Sequence, residues 1–402
     1  MNGKKIVSAI LAAALVAGAA FAAGTNEAAS SKTFLIGTYV QLSGSNQVPG
    51  DDAKRGIELA IREINKAGGF NGATVIAKHY DTTGKPEEAI KVVQKMLASD
   101  NVDAIIGSVN SNDVSAAIPY INDAKVFNLG LGTSATWMAD ASKIWTFRAS
   151  ANNNRIVPQD VDLIKKLGYS SVAVINGTDD TGKSTAEAFI KACEEKGVKV
   201  TAREQTDQND TDFSGQISKL LASKPDTIFM SLIGSTFGPF VKQLRNMGYT
   251  GMIACKETFS PMYQQTAGAK NSNYIYYAYP YVTYATIDDC SIPNMKAFLQ
   301  LYLAEYKEMP RHEAAYRGWD AMITMQEAAK LAGKNDDESL RLAMPKVVID
   351  GLGGKLDFSK GDREGYSAFK EFVLLDGKDI PIDDWLKSGG YEAYKKATGS
   401  AK

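Results

Sequence analysis

Short apolar runs alternate with helically spaced apolar positions along the first half of the chain. The first run predicts a strand at residues 33–40, and Gly68 with Gly69 ends the helix that follows it. Asp51 or Asp52 can cap the start of that helix. Its apolar positions are Ala53, Ile57, Ala60, Ile61 and Ile64. The same alternation then predicts strands at 74–80, 102–107 and 126–130, and helices beginning at Pro86 and spanning 114–122.

A similar series restarts near residue 155. Helices are predicted at 155–167, 184–196 and 213–221, and strands at 171–176, 198–203 and 226–232. Alternation of this kind builds parallel sheets that are covered by helices on both faces. The predicted fold class is therefore α/β, with two doubly wound parallel-sheet lobes. Ligands collect at the carboxyl ends of such strands, and in two lobes those ends can face each other across a cleft.

The last part of the chain is less regular. In residues 274–284, six of the eleven positions are Tyr. This pattern fits a strand with aromatic cross-strand packing, or a strand that crosses between lobes and offers its rings to the cleft. Helices are predicted at 293–307 and 313–331, and closing strands at 353–357 and 369–375.

The N-terminus indicates export. Lys4 and Lys5 precede an apolar run at residues 6–22, which ends in the small residues Ala20 and Ala22 around Phe21. This is the pattern of a secretory signal peptide, predicted at 1–22. The run has 17 residues, fewer than the roughly 20 that span a bilayer. We expect cleavage and a periplasmic or other extracytoplasmic location, without a lipid anchor because no Cys is nearby.

Composition excludes several classes of function. Lys and Arg total 45 against 46 for Asp and Glu, so there is no basic surplus for binding nucleic acid. His occurs only at 79 and 312, and the three Cys are scattered, which argues against a metal site or a disulfide scaffold. We therefore expect no metal, no cofactor and no nucleic-acid partner.

Two segments match nucleotide-binding motifs but lack what the chemistry needs. Gly177 to Ser184 fits G-x-x-x-x-G-K-[ST], yet Asp179 and Asp180 would put two negative charges into a phosphate cradle. Residues 130–135 fit G-x-G-x-x-A but have no acid about 20 residues further on for a ribose. No G-x-S-x-G or H-E-x-x-H motif is present, so we expect no enzyme. A secreted α/β enzyme is kept as an alternative.

Several segments resemble one family. They are QLSG at 41–44, GIELA at 56–60, EINKAGG at 63–69, AIIGS at 104–108 and FR at 147–148. These resemble the leucine/isoleucine/valine-binding proteins, the type I periplasmic binding proteins that feed ABC importers. The resemblance implies a Venus flytrap with a three-crossing hinge near 148–152, 280–284 and 352–358. Its N-terminal lobe would be 33–150 plus 281–352, and its C-terminal lobe 151–280 plus 353–402.

The resemblance also implies a ligand-binding site. Ser111 falls where the family binds an α-carboxylate through a hydroxyl, and Thr133 where a Thr contacts both carboxylate and ammonium. Leu131 falls where a backbone carbonyl accepts from the ammonium, and Glu257 where a Glu pairs with it from the second lobe. Thr181 occupies a position that is often Tyr.

Two departures leave the ligand open. Pro49 stands where an aromatic often covers the ligand side chain, and Asn110 replaces a Cys found in some relatives. A branched-chain amino acid, another small amino acid and another small organic ion are all compatible with the resemblance. The implied partner is an ABC permease complex in the inner membrane, and a monomer is expected. A flytrap that senses ligand for a receptor is the alternative role.

Overall fold

The structure of the protein, a computed structural model, describes residues 32–399. The signal peptide predicted at 1–22 lies outside the described residues. Within residues 32–399, no helix combines the length and the apolar character needed to cross a membrane.

The first sheet has five parallel strands in the order β2-β1-β3-β4-β5. They are β1 Thr33–Val40, β2 Thr74–Asp81, β3 Ala104–Gly107, β4 Asn128–Gly130 and β5 Thr146–Arg148. The helices between them are α1 Gln47–Lys66, α2 Pro86–Lys95 and α3 Ser111–Ala124. The predicted alternation in this part of the chain is confirmed.

The second sheet has seven strands in the order β14-β13-β10-β9-β8-β6-β7. Its strands are β6 Ser171–Gly177, β7 Lys199–Thr206, β8 Thr227–Ser231, β9 Ile253–Cys255, β10 Ile275–Tyr279, β13 Lys370–Leu375 and β14 Lys378–Pro381. The pairings of β13 with β10 and β14 are antiparallel, and the others are parallel. Its helices are α4 Asn153–Lys166, α5 Asp180–Lys196, α6 Ser214–Ala222, α7 Phe237–Asn246 and α8 Pro261–Ala267.

Between β10 and β13 the chain leaves the second sheet and returns to it. This part contains α9 Pro293–Tyr306, α10 Ala314–Ala332, α11 Asp337–Ala343, β11 Val348–Gly351 and β12 Gly354–Asp357. The chain ends with α12 Ile382–Lys387 and α13 Gly390–Thr398. The described residues thus form two α/β units with mostly parallel sheets, as the pattern predicted.

Two details differ from the sequence predictions. The strand predicted at 353–357 does not close a large sheet; Gly354–Asp357 pairs with β11 in a two-stranded hairpin. Helix α1 begins at Gln47 rather than at a cap on Asp51 or Asp52. Both carboxylates instead accept hydrogen bonds from the guanidinium of Arg311, which lies 259 residues or more along the chain. A long-range ion pair thus replaces the local capping role.

The tyrosine-rich segment serves both as a strand and as a connection. Residues 275–279 form β10 and pack against both neighbouring strands. Beyond the strand, the Tyr281 hydroxyl donates to the buried carboxylate of Asp320, at 3.2 Å. The same carboxylate accepts the Leu352 N–H at 2.9 Å and the hydroxyl of Tyr366. Asp320 therefore ties together two of the segments that run between the sheets.

Helices α1 and α10 pack at very short range against each other. A Cβ added at Gly56 would lie 1.9 Å from the carbonyl oxygen of Ala315, and one at Gly318 would lie 2.2 Å from that of Ala53. In both cases the clashing atom is a backbone carbonyl oxygen, which cannot be moved by a change of side-chain rotamer. The two glycines therefore set the distance between these helices and hold α10 beside the first sheet.

We predict that Gly56→Ala lowers the free energy of unfolding by about 1–3 kcal/mol, because the added methyl overpacks the contact. Urea denaturation followed by circular dichroism measures the change. The control is Gly215→Ala, at an exposed position of α6 where a Cβ meets no atom within 4 Å. It should raise stability by about 0.5–1 kcal/mol through helix propensity. Equal midpoints for the two variants would contradict this packing.

Candidate functional site

A cavity lies where the carboxyl ends of the two sheets face each other. The space that the centre of a water molecule can reach is about 40 Å³. This space holds a small ligand and not a large one. The lining is Asn46, Pro49, Val109, Asn110, Ser111 and Thr133 from loops of the first sheet, Thr181, Ile233, Gly234, Lys256, Glu257 and Tyr263 from the second, and His312 and Arg317 near α10.

Ser111 is the first residue of α3, directly after the turn that follows β3. The N-cap is Asn110, whose side chain accepts the Asn112 N–H at 2.9 Å. The hydroxyl of Ser111 is therefore not used as a cap. It accepts the Ser134 N–H at 3.1 Å, which leaves its own proton for another acceptor. The positive end of the helix dipole at this point favours an anion.

Thr133 lies on a loop that a buried arginine fixes in place. The guanidinium of Arg148 donates to the carbonyl oxygens of Gly132 at 2.7 Å and Ser134 at 2.6 Å, on both sides of Thr133. The carbonyl of Thr133 itself accepts the Asn153 N–H at 3.0 Å. The guanidinium carbon of Arg148 also stacks on Trp137, 3.9 Å from the ring centroid. Residues 130–135 are thus a rigid loop, and the helix that a dinucleotide fingerprint requires does not follow them.

Thr181 lines the cavity from the first turn of α5, on the second sheet. The residues around it explain why the P-loop pattern is not a phosphate cradle. The carboxylate of Asp179 caps the helix by accepting the Gly182 N–H at 2.9 Å. Asp180 accepts the Thr136 hydroxyl at 2.5 Å, a contact with the first sheet's loop. A carboxylate therefore already occupies the anion position at this helix end.

Glu257 follows β9 and is 7% exposed. Its Oε1 accepts the Tyr263 hydroxyl at 3.0 Å, and its Oε2 lies 3.7 Å from Lys256 Nζ. Burial, reinforced by Glu257, raises the pKa of Tyr263 well above its usual value, so the phenol keeps its proton. The phenol donates this proton to Glu257. Its oxygen lies 3.1 Å from His312 Nε2, and in this second hydrogen bond His312 Nε2 is therefore the donor.

Behind the cavity wall lies a buried charge cluster. The carboxylate of Glu313 is 0% exposed, forms an ion pair with Arg317 and lies against the ring of His312. Burial alone would raise the pKa of Glu313, but Arg317 and His312 together hold it below its usual value. Arg317 also donates to the Tyr279 hydroxyl at 2.8 Å and to the Leu131 carbonyl at 3.2 Å.

The structure thus brings four of the five predicted residues to one cavity: Ser111, Thr133, Thr181 and Glu257. Leu131 does not line it; its side chain is buried, and its carbonyl is bonded to Arg317. Within residues 32–399, no group of His, Cys, Asp and Glu could hold a metal ion.

Five polar residues of the cavity were not predicted from the sequence: Asn46, Lys256, Tyr263, His312 and Arg317. Lys256 adjoins Glu257 in the chain, so its charge was a signal that could have been used. Glu313 and Arg317 also stand four residues apart, the spacing of an ion pair on a helix. Nothing local shows that this pair faces a loop of the first sheet.

Comparisons with known proteins identify the family of this chain. A family model described as periplasmic binding protein matches residues 33–371. A Leu/Ile/Val-binding protein homolog from Brucella melitensis is 23% identical over 92% of this chain and 99% of its own length. An amino acid binding protein from Pseudomonas aeruginosa is 23% identical over 86% of this chain and 90% of its own.

Solved structures show the same fold. The branched-chain amino acid transporter substrate binding protein LivJ from Streptococcus pneumoniae, in complex with isoleucine, is 23% identical and has a TM-score of 0.77. It covers 87% of this chain and 98% of its own. A solute binding protein from R. palustris in complex with benzoate has a TM-score of 0.77 at 20% identity, over 87% and 95% of the two chains. The chain belongs to the periplasmic binding protein family.

Proposed function

We propose that the protein is the extracytoplasmic solute-binding component of an ABC importer, which binds a small amino acid between two lobes and delivers it to a permease. It acts by binding and release, without catalysis. The proposal rests on how polar groups are arranged around one cavity. Hydroxyls at a helix N-terminus and a fixed loop lie on one side, and the carboxylate of Glu257 lies on the other.

An amino-acid zwitterion fits this arrangement. Its carboxylate would lie against the hydroxyls of Ser111 and Thr133, where the helix end favours negative charge. Its ammonium would pair with Glu257, with the hydroxyl of Thr181 as a further acceptor. Each charge loses water in a closed cavity and therefore needs such a partner.

The lobes that we propose are 33–150 plus 281–352 and 151–280 plus 353–402. Support comes from sheet membership, since β1 to β5 lie in the first range while β6 to β10, β13 and β14 lie in the second. Packing of α10 against α1 places the 281–352 insertion beside the first sheet. We further propose that the signal peptide at 1–22 is cleaved and that the mature protein is a monomer.

The described structure corresponds to closed lobes. Asp180 of α5 accepts the Thr136 hydroxyl at 2.5 Å, and its N–H donates to the side chain of Asn112 at 3.2 Å. The hydroxyls of Ser134 and Ser184 are 3.0 Å apart. These polar contacts join the two sides at the rim of the cavity, so ligand entry requires them to separate.

We predict that Glu257→Gln weakens binding of the amino-acid ligand by about 30-fold or more. Removing one partner of a buried charge pair costs about 2–5 kcal/mol, and about 1.4 kcal/mol corresponds to tenfold. Isothermal titration calorimetry measures the affinity, after a thermal-shift screen of the amino acids has identified the ligand. Ser111→Ala removes one hydroxyl among several donors and should cost about 1–2 kcal/mol.

The matched control is Glu195→Gln, on an exposed face of α5 where the carboxylate forms an ion pair with Lys191 at 3.9 Å. This variant changes the net charge in the same way and should bind like the wild type. Wild-type affinity in a folded Glu257→Gln protein would contradict pairing with an ammonium.

We also predict that the lobes close on the ligand. Side chains from both sheets contact one small cavity, and ligand bound there bridges them. Small-angle X-ray scattering should give a smaller radius of gyration with saturating ligand than without it. An unchanged radius, in a sample whose binding calorimetry confirms, would contradict hinge closure. 

A further inference from the structure

We propose that the ligand carries a second anionic group and that Lys256 binds it, so that the substrate class is a short acidic α-amino acid. This inference rests on the proposed function and narrows it. It starts from the charges that face the cavity. Two fixed cations line it, Lys256 and Arg317, against a single carboxylate, Glu257.

The other nearby carboxylate is already committed. Glu313 is 0% exposed, is absent from the cavity lining, forms an ion pair with Arg317 and lies against the ring of His312. Arg317 is therefore compensated by Glu313 from behind the wall. Among residues 32–399, the carboxylate that faces Lys256 in the cavity is that of Glu257.

Among the residues that the structure describes, the ammonium of Lys256 has one ion-pair contact, and it is a long one. The side chain of Lys256 is 4% exposed, and its ammonium lies 5.9 Å from the ring centroid of Phe237. Its contact with Glu257 is an ion pair at 3.7 Å, beyond normal hydrogen-bond length. A buried ammonium that faces a cavity and carries three donors can therefore take a further anionic partner there.

A ligand ammonium at Glu257 would compete with Lys256 for the same carboxylate. Glu257 would then be shared between two cations a few ångströms apart, in surroundings with little water to screen them. A neutral ligand side chain gives Lys256 no partner. A side-chain carboxylate completes the set: the α-carboxylate lies at Ser111 and Thr133, the ammonium at Glu257, and the second carboxylate at Lys256.

The size of the cavity limits the length of this side chain. With about 40 Å³ of water-accessible space, the cavity suits a ligand whose three charged groups are separated by few carbons. L-aspartate and L-glutamate are therefore the probes, and their amides L-asparagine and L-glutamine differ from them by one charge at almost constant shape.

Calorimetric titration of the wild-type protein with these four compounds, and with leucine, isoleucine and valine, tests the inference. We expect at least one acid to bind about 10-fold or more tightly than its amide and than the three branched-chain residues. In Lys256→Met we expect affinity for that acid to fall by about 30-fold or more, while affinity for the amide changes by less than about 3-fold.

The control variant is Lys183→Met, at an exposed position of α5, which removes the same charge from the molecule without touching the cavity. It should keep the preference of the wild type for the acid. This separates a contact with Lys256 from a general effect of net charge.

Each outcome bears on one claim. Branched-chain or other neutral amino acids that bind as tightly as the acids would overturn the acidic-ligand inference and leave the proposed function intact. Failure of every proteinogenic amino acid to bind, in a folded wild-type protein, would overturn the proposed function as well. An acid-over-amide preference that persists in Lys256→Met would overturn the assignment to Lys256.

Discussion

The cleft is governed by one constraint: a charge that loses its water when the lobes close must have a partner of opposite sign or several hydrogen bonds. Glu257 faces the cavity with Lys256 at 3.7 Å, and Arg317 is compensated by the buried Glu313. The helix N-terminus at Ser111 favours an anion. In the proposed site, a ligand with complementary charges supplies partners to Lys256 and to the hydroxyl of Ser111. On this proposal, recognition of the ligand favours closure of the lobes.

Buried polar groups elsewhere give this site its rigidity. Arg148 fixes the two peptides around Thr133, and burial lowers its pKa only to about 10, so it stays charged at neutral pH. Asp320 accepts from Tyr281 and Leu352, on two of the segments that join the sheets. Gly56 and Gly318 allow α10, which carries Arg317, to approach α1 closely. The loops that line the cavity are therefore held firmly, and two of the connections between the sheets are tied together by Asp320.

Much of the fold follows from local pattern. Alternating apolar runs and helical spacing identify β1 to β4 and β6 to β8 because each is a short strand next in the chain to an amphipathic helix. Ser111, Thr133, Thr181 and Glu257 were identified through a family resemblance, and the parallel sheets bring their loops together.

Local sequence pattern gave the wrong prediction where residues far away in the chain determine the contacts. Asp51 and Asp52 look like helix caps but bind Arg311, and residues 354–357 pair with β11 rather than with a large sheet. His312 and Arg317 carry no local sign that they reach the cavity.

The central claim is that Glu257 recognises the ammonium of the ligand. A thermodynamic cycle tests it directly: wild type and Glu257→Gln are each titrated with the best amino acid and with its desamino analogue, in which hydrogen replaces the amino group. The coupling free energy between the Glu257→Gln substitution and the removal of the amino group measures the interaction of the carboxylate with the ammonium. The account predicts that loss of the amine weakens binding to the wild type by about 30-fold or more and to the variant by less than about 3-fold. Equal losses in the two proteins would contradict it.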